Sequence, residues 1–200
     1  NYTEMLQESF NETSGSLNTE YMQNLQTSEE QLCFLVESFI KTARLEQGLI
    51  QVHLQKQNLI ETILNALGEI QQKAEGKNIY FQVELPERVI CEHDKNWMCE
   101  AFYNLFDNAV KYSESGSKID VTMKQSEMFY KILVRDYGIG IKKGEENLIF
   151  QRFYRGEQAR RQEGCGIGLY LSREIVLLQK GMMKAKQMKP GLLIEVNLPV

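Results

Sequence analysis

The chain has only three prolines in 200 residues, Pro86, Pro190 and Pro199. Ahead of Pro86 nothing fixes φ or removes an amide donor in that way, so long uninterrupted helices are open to the first part. Histidine is scarcer still, with His53 and His93 alone, and the four cysteines (Cys33, Cys91, Cys99, Cys165) form no CxxC pair. A zinc site built from cysteine and histidine therefore has no support. The thiols read as buried and free, in a reducing compartment. Both histidines read as solvated, His53 on the polar face of a strand and His93 in a loop. No apolar run approaches a membrane span and no signal peptide opens the chain, so any membrane anchor is expected in a segment outside it. Acidic residues outnumber basic ones, 27 to 23, which gives no reason to expect a nucleic-acid partner. Neither a nucleophile elbow nor HExxH occurs, and hydrolase chemistry of those kinds is unsupported.

What is present is an ordinary globular composition, 42% hydrophobic and 25% charged, long enough for one domain or two small ones. Tyr2, Met5, Leu6 and Phe10 sit at helical spacing over residues 2–11, before "NETSGS" breaks the pattern. From about Asn18 to Gly48, Leu25, Leu32, Leu35, Phe39 and Ala43 repeat at three- and four-residue steps, predicting a second helix. The short first element cannot cover that stripe alone. A hairpin packed on its own domain and half of a dimeric four-helix bundle would each bury it.

After Gly48 the pattern alternates at Ile50, Val52 and Leu54, which predicts a strand. Asn58 then caps a helix reaching to about Gly76. Strands are expected near 78–84 and 88–91, and Asp94 is a good N-cap for a helix from Lys95 to Tyr112. "SKIDVTMK" and "YKILVRDYG" predict two more strands. A third helix should follow the glycine-rich loop as far as Lys180, with "MMKAKQM" and "LLIEVNL" closing the chain. The fold class expected is α+β: a mixed, largely antiparallel sheet with three helices, preceded by a helical hairpin.

Four stretches could carry chemistry. On "NLFDNAVKY", Asn104, Asn108 and Lys111 share one helix face, odd for a plain solvated face because asparagine is a poor helix former. Asparagine oxygens can hold a hard cation and lysine can meet phosphate. In "DYGIGI", Asp136 stands at a strand end beside Gly138 and Gly140, where it could accept from an exocyclic amine. "IFQRFYRG" sets Phe150 and Phe153 beside Arg152 and Arg155, an amphipathic turn or a lid whose arginines reach phosphate while its phenylalanines anchor it. That segment, 142–163, also carries Lys142, Lys143, Arg160 and Arg161. "GCGIGL" offers glycines at 164, 166 and 168 before an apolar helix. It fits neither GxGxxG, since Leu169 stands at the third glycine, nor a P-loop, since no GK[ST] follows. Each stretch alone is explained by ordinary structure.

Together, in this order and spacing, the four blocks resemble the N, G1, F and G2 boxes of the ATP-binding domain of sensor histidine kinases, a Bergerat-type ATP-binding fold. The likeness covers about residues 58–200, and the helix ending "ARLEQG" resembles the second helix of that family's dimerisation and phosphoacceptor domain. The resemblance implies a boundary near residue 49, with 1–49 the remnant of a helical hairpin and 50–200 the catalytic domain. It implies ATP and Mg²⁺ as cofactors, with Asn108 on the metal and Asn104 supporting it one turn away. Lys111 would contact phosphate and Tyr112 would lie near the nucleotide. Asp136 would receive the adenine amino group in a pocket shaped by Gly138, Gly140 and Ile141. Phe150, Phe153 and Arg155 would belong to the lid, and Gly164, Gly166, Ile167, Gly168 and Leu169 would line the phosphates. Asn104, Lys111 and Arg155 would stand nearest the transfer chemistry.

Some positions depart from the family pattern: Tyr137 replaces a common asparagine, Cys165 a threonine or serine, and Glu163 a frequent glycine. Superfamily members that hydrolyse ATP carry a glutamate where this chain has Asn104. A carboxamide cannot take a proton from water at neutral pH, so transfer to a protein side chain is favoured over hydrolysis. The resemblance implies in-line attack by a histidine that precedes this sequence, relay to a response regulator receiver domain, homodimerisation through the hairpin in the full-length protein, and a cytoplasmic location. Two alternatives stay open: a serine or threonine kinase of the anti-sigma type, and a nucleotide-binding module without catalysis.

Overall fold

The computed structural model describes residues 17–162 and 164–200, and leaves aside the side chains of 17–20, 23, 24, 27, 30, 31, 34, 160 and 161. The helix expected over 2–11, Glu163, and the side chains of Arg160 and Arg161 thus lie outside the described residues. The chain divides into two compact units, Asn1–Ala43 and Arg44–Val200. The first contains most of helix α1 (Leu17–Glu46). Leu25, Leu32 and Phe39, expected to form a buried stripe, are 61%, 62% and 56% exposed.

The second unit runs β1 (Gln55–Asn58), α2 (Leu59–Gly76), β2 (Tyr80–Glu84), β3 (Ile90–His93), α3 (Lys95–Tyr112), β4 (Lys118–Gln125), β5 (Phe129–Asp136), α4 (Gly168–Leu178), β6 (Met182–Gln187) and β7 (Leu192–Pro199). Five strands form a sheet in the order β2-β4-β5-β7-β6, and β1 pairs with β3 separately. Only the β2–β4 pair is parallel; the other ladders are antiparallel. The α+β class and the three helices after residue 50 are those expected. Phe102 and Phe106 of α3 lie fully buried with Ile119, Val121, Ile132 and Val196 of the sheet. Burial at that depth stabilises by roughly 1.5–3 kcal/mol per large side chain. Strand parity puts Tyr130, Ile132, Val134 and Asp136 on the buried face of β5. A carboxylate thereby ends the strand on its core-facing side.

Three expectations need correction. The strand predicted from Ile50 begins instead at Gln55, because the ladder partner β3 offers only four residues, from Gln55↔His93 to Asn58↔Ile90. His93 is 0% exposed, since β3 turns Cys91 and His93 inward together. Its Nε2 lies 2.8 Å from Thr62 Oγ1 and its Nδ1 3.2 Å from the Cys91 carbonyl oxygen. Burial pushes its pKa below the ordinary histidine value. Of the cysteines only Cys91 is buried; Cys33 is exposed and the other two are intermediate.

Candidate functional site

Asp94 starts α3 by accepting from the amides of Asn96 and Trp97 at 3.1 and 3.2 Å through Oδ1. That cap satisfies two of the orphan donors of the first turn and fixes where the helix begins. Phe102, Leu105, Phe106 and Ala109 then enter the core, and Asn104, Asn108 and Lys111 follow on a common side. Asn104 is itself only 5% exposed, and its Nδ2 is buried with no hydrogen-bond partner among the described residues. Asn108 donates from Nδ2 to the Asn104 carbonyl at 2.8 Å, which leaves its Oδ1 as the oxygen free for a ligand.

Across from the two carboxamides stands Gly168, the first residue of α4. A Cβ there would lie 3.4 Å from Asn108 Nδ2 and 3.7 Å from Asn104 Oδ1. The helix starts from Ile167 with no side-chain cap, so its first amides are open beside the asparagines. Open amides and the positive end of a helix macrodipole favour an anion.

Asp136 is nine-tenths buried at the end of β5. Its Oδ1 accepts from the amides of Gly138 at 2.9 Å and Leu192 at 3.2 Å. Burial raises its pKa, against the pull of those two amides and of Arg135. Gly138 packs on the end of α3: a Cβ would come within 2.6 Å of the Tyr112 carbonyl carbon, and the Ile139 amide donates to that carbonyl at 3.2 Å. Gly140, at φ +65°, abuts the Gly191 carbonyl, 2.7 Å from where its Cβ would be. Ile141 is half-buried beside them.

The segment after β5, expected to form a lid, passes through two short 3₁₀ turns, Leu148–Phe150 and Glu157–Arg161. Phe150 is 3% exposed and lies under the Arg173 guanidinium, 5.5 Å from the ring centroid. Phe153 is 52% exposed, so one phenylalanine anchors this segment where two were expected. The Phe153 amide donates to the Gly166 carbonyl at 3.0 Å, and a Cβ on Gly166, at φ +71°, would meet the Tyr154 carbonyl oxygen at 2.6 Å. Residues 153 and 154 therefore cross directly on the glycine loop.

Gly164 has φ +119°, and a Cβ there would strike the Lys111 ammonium. Lys111 has its pKa lowered mainly by burial, with Asp107 opposing and Arg155 adding to the fall. Arg155 donates to the carbonyls of Ala159, at 2.7 Å, and Gln162, and its Nε is buried without a partner among the described residues. Not all the lid cations converge. Arg152 pairs with Glu46 and Lys142 with Glu157, contrary to the expectation that both arginines point to phosphate. The side chains that meet around Gly164–Leu169 come from α3 and from Arg155.

The model of the family described as histidine kinase-, DNA gyrase B-, and HSP90-like ATPase matches residues 93–200. The chain belongs to this ATPase family. It is 34% identical over 154 residues to the sensor histidine kinase MtrB of Mycolicibacterium paratuberculosis, an alignment covering 76% of this chain and 27% of that protein. The chain thus spans about a quarter of the length of that curated relative. Among solved structures it resembles the mycobacterial sensor histidine kinase MprB, with TM-score 0.66, 25% identity and coverage of 74% of this chain and 97% of that one. The histidine kinase ThkA, solved in complex with the response regulator protein TrrA, matches with TM-score 0.74 at 18% identity, covering 93% of this chain and 52% of that one.

The Asp136 carboxylate is held by residues that sequence patterns did not flag. Gly191 backs the carboxylate, with its Cβ position 2.7 Å from Asp136 Oδ1, and Leu192 supplies the second amide. Arg135 donates to the carbonyls of Asp136, at 2.6 Å, and Pro190. Pro190–Gly191 was legible as a turn. The meeting of Gly191 with Asp136, 55 positions earlier, was not, because pairing of β5 with β7 creates it.

Proposed function

We propose that this chain is the Mg-ATP-binding kinase core of a two-component sensor histidine kinase. It transfers the γ-phosphoryl group to a histidine outside this chain, for relay to an aspartate on a response regulator receiver domain. The observation that carries the reading is the pair of buried, unpartnered donors, Asn104 Nδ2 and Arg155 Nε, beside an uncapped helix start and the Lys111 ammonium. Buried donors are rarely left unpaired in a native fold, and a triphosphate would satisfy all of them together. The sensor-kinase names of relatives spanning three quarters of the chain and the receiver-bound relative support the partner class.

Asp136 Oδ2 would accept from the adenine amino group, while its Oδ1, held by two amides, fixes the direction of that bond. Asn108 Oδ1 is the hard oxygen that would hold Mg²⁺, an ion that prefers oxygen ligands and retains waters and phosphate oxygens. The metal would supply neutralisation of charge on the phosphate oxygens. Lys111 and Arg155 would meet the γ-phosphoryl oxygens, where charge rearranges during transfer. Gly164, Gly166, Gly168 and Leu169 would approach the phosphates through backbone amides. Asn104 offers no proton acceptor to water, which favours a nitrogen nucleophile over hydrolysis.

His93 does not present an acceptor ring, being wholly buried on Thr62. His53 is exposed in the segment before β1, without helical context. Among the described residues no helix is long and apolar enough to cross a membrane; we place this core on the cytoplasmic side of a membrane-anchored sensor that dimerises through its helical region. The test is titration with Mg²⁺ and a non-hydrolysable ATP analogue, followed by phosphoryl transfer to the full-length parent. Saturable, Mg²⁺-dependent binding is expected. Absence of binding at millimolar nucleotide refutes the reading.

A further inference from the structure

Tyr137, between Asp136 and Gly138, turns away from the buried face on which Asp136 lies. Its hydroxyl donates to Asp120 Oδ2 at 2.6 Å, and Lys118 pairs with the other oxygen of Asp120 at 2.9 Å. Its ring lies 4.5 Å from the Arg135 guanidinium carbon and 5.2 Å from Lys118 Nζ. Arg135 in turn donates to the backbone carbonyls of Asp136 and Pro190. Those carbonyls belong to the two segments, the end of β5 and the turn before β7, that supply the amides holding Asp136 Oδ1.

We infer that Tyr137, held by Asp120 and stacked on Arg135, is a positioning residue that fixes the β5 end against the Pro190–Gly191 turn and so aims Asp136 Oδ2 at the base. The inference rests on the ATP reading above and deepens it, by assigning part of the purine selectivity to a residue that never touches nucleotide. The physical basis is direct. A guanidinium stacked on an aromatic face keeps its in-plane donors oriented, and here those donors span two strand ends. Removing the ring frees Arg135 to swing. Removing only the hydroxyl loosens the ring by one hydrogen bond to a charged acceptor.

The phosphate half of the site is built from α3, the glycine loop and α4, and the side chains of Asp120, Arg135 and Tyr137 make no hydrogen bond to its residues. A weakening confined to the base half therefore distinguishes positioning from a general loss of structure. The experiment measures dissociation constants of the parent, Tyr137→Phe, Tyr137→Ala and Asp120→Ala for an ATP analogue, for adenosine and for the matching GTP analogue. Inorganic tripolyphosphate serves as competitor for the phosphate half. Tyr137→Ala is expected to weaken the ATP analogue and adenosine by the same factor, about five- to tenfold. Tripolyphosphate affinity should stay within twofold, and the preference for ATP over GTP should shrink. Tyr137→Phe should retain most of the parent's affinity, and Asp120→Ala, which removes the same hydroxyl hydrogen bond and leaves the ring on Arg135, should resemble Tyr137→Phe.

Equal weakening of all ligands, tripolyphosphate included, overturns the inference by showing a merely structural role. So do variants that match the parent within twofold for every ligand. If the parent itself binds no nucleotide, the ATP reading fails at the outset, a result distinguishable from either.

Discussion

Asp136→Asn separates binding from folding more sharply than any other single change. Asparagine can keep Oδ1 as acceptor for the Gly138 and Leu192 amides, at 2.9 and 3.2 Å in the parent. What changes is the outward atom: an acceptor becomes an NH₂ donor, facing the donor amine of adenine. Hydrogen bonds to charged groups contribute about 1.5–3 kcal/mol. Their loss corresponds to roughly 10- to 150-fold weaker binding. Stability should move the other way or not at all. Burial raises the pKa of Asp136 in the fold, so the native state favours the protonated form. For an acid raised in this sense, the contribution to stability is present below its unfolded value and is lost as pH rises through the folded value. At pH 7, above the unfolded value, the preference of the fold for the neutral acid is therefore a net cost, and the neutral isostere removes it. Calorimetric titration with an ATP analogue and thermal melts of the nucleotide-free protein at pH 7 give both readouts. Affinity within threefold of the parent, or a melting point lowered in step with affinity, would refute the reasoning.

Asn104→Glu places a carboxylate able to act as general base one turn before Asn108, and ATP turnover to ADP in the absence of an acceptor should rise tenfold or more, on the order of the low end of general-base effects; unchanged turnover with binding intact rejects the assigned role. Gly166→Ala forces a Cβ to within 2.6 Å of the Tyr154 carbonyl oxygen at φ +71°. Left-handed strain alone is about 1–2 kcal/mol, so analogue affinity should fall about tenfold while adenosine binding holds, as competition assays can show. His93 has its pKa lowered by burial in the fold, so the unfolded chain takes up a proton first. Stability should therefore decline as pH falls from the unfolded value near 6.5 towards the lower native value. Urea midpoints at pH 7.5 and 5.5 should differ more for the parent than for His93→Gln.

Much of the fold was readable from local chemistry. Asn58 and Asp94 announced two helix starts, and both caps are made. "YKILVRDYG" placed β5 within a residue or two and set Asp136 at the strand end. Those signals are local: a cap is one side chain reaching amides two or three residues on, and strand parity needs no partner. His93 shows where such reading stops. "CEHD" looked like a polar loop, but pairing of β3 with β1 turned the imidazole inward, beside Thr62 from a helix 31 residues away. The alternation at Ile50–Leu54 looked like a strand and found no ladder partner. A strand exists only where another backbone offers its hydrogen bonds, and that is a property of topology.

The sequence by itself determined which residue types face the candidate site. Asparagines one turn apart, a strand-end aspartate, and glycines before an apolar helix follow from spacing alone. Tertiary structure decided what those residues can do. It left Asn104 Nδ2 and Arg155 Nε buried without partners, and it sent Arg152 to Glu46 and away from the glycine loop. It also held Asp136 Oδ1 with an amide from β7, and braced that arrangement through Arg135 and Tyr137. Burial and partner choice are set by segments distant along the chain, so they exist only once the sheet has closed around the site.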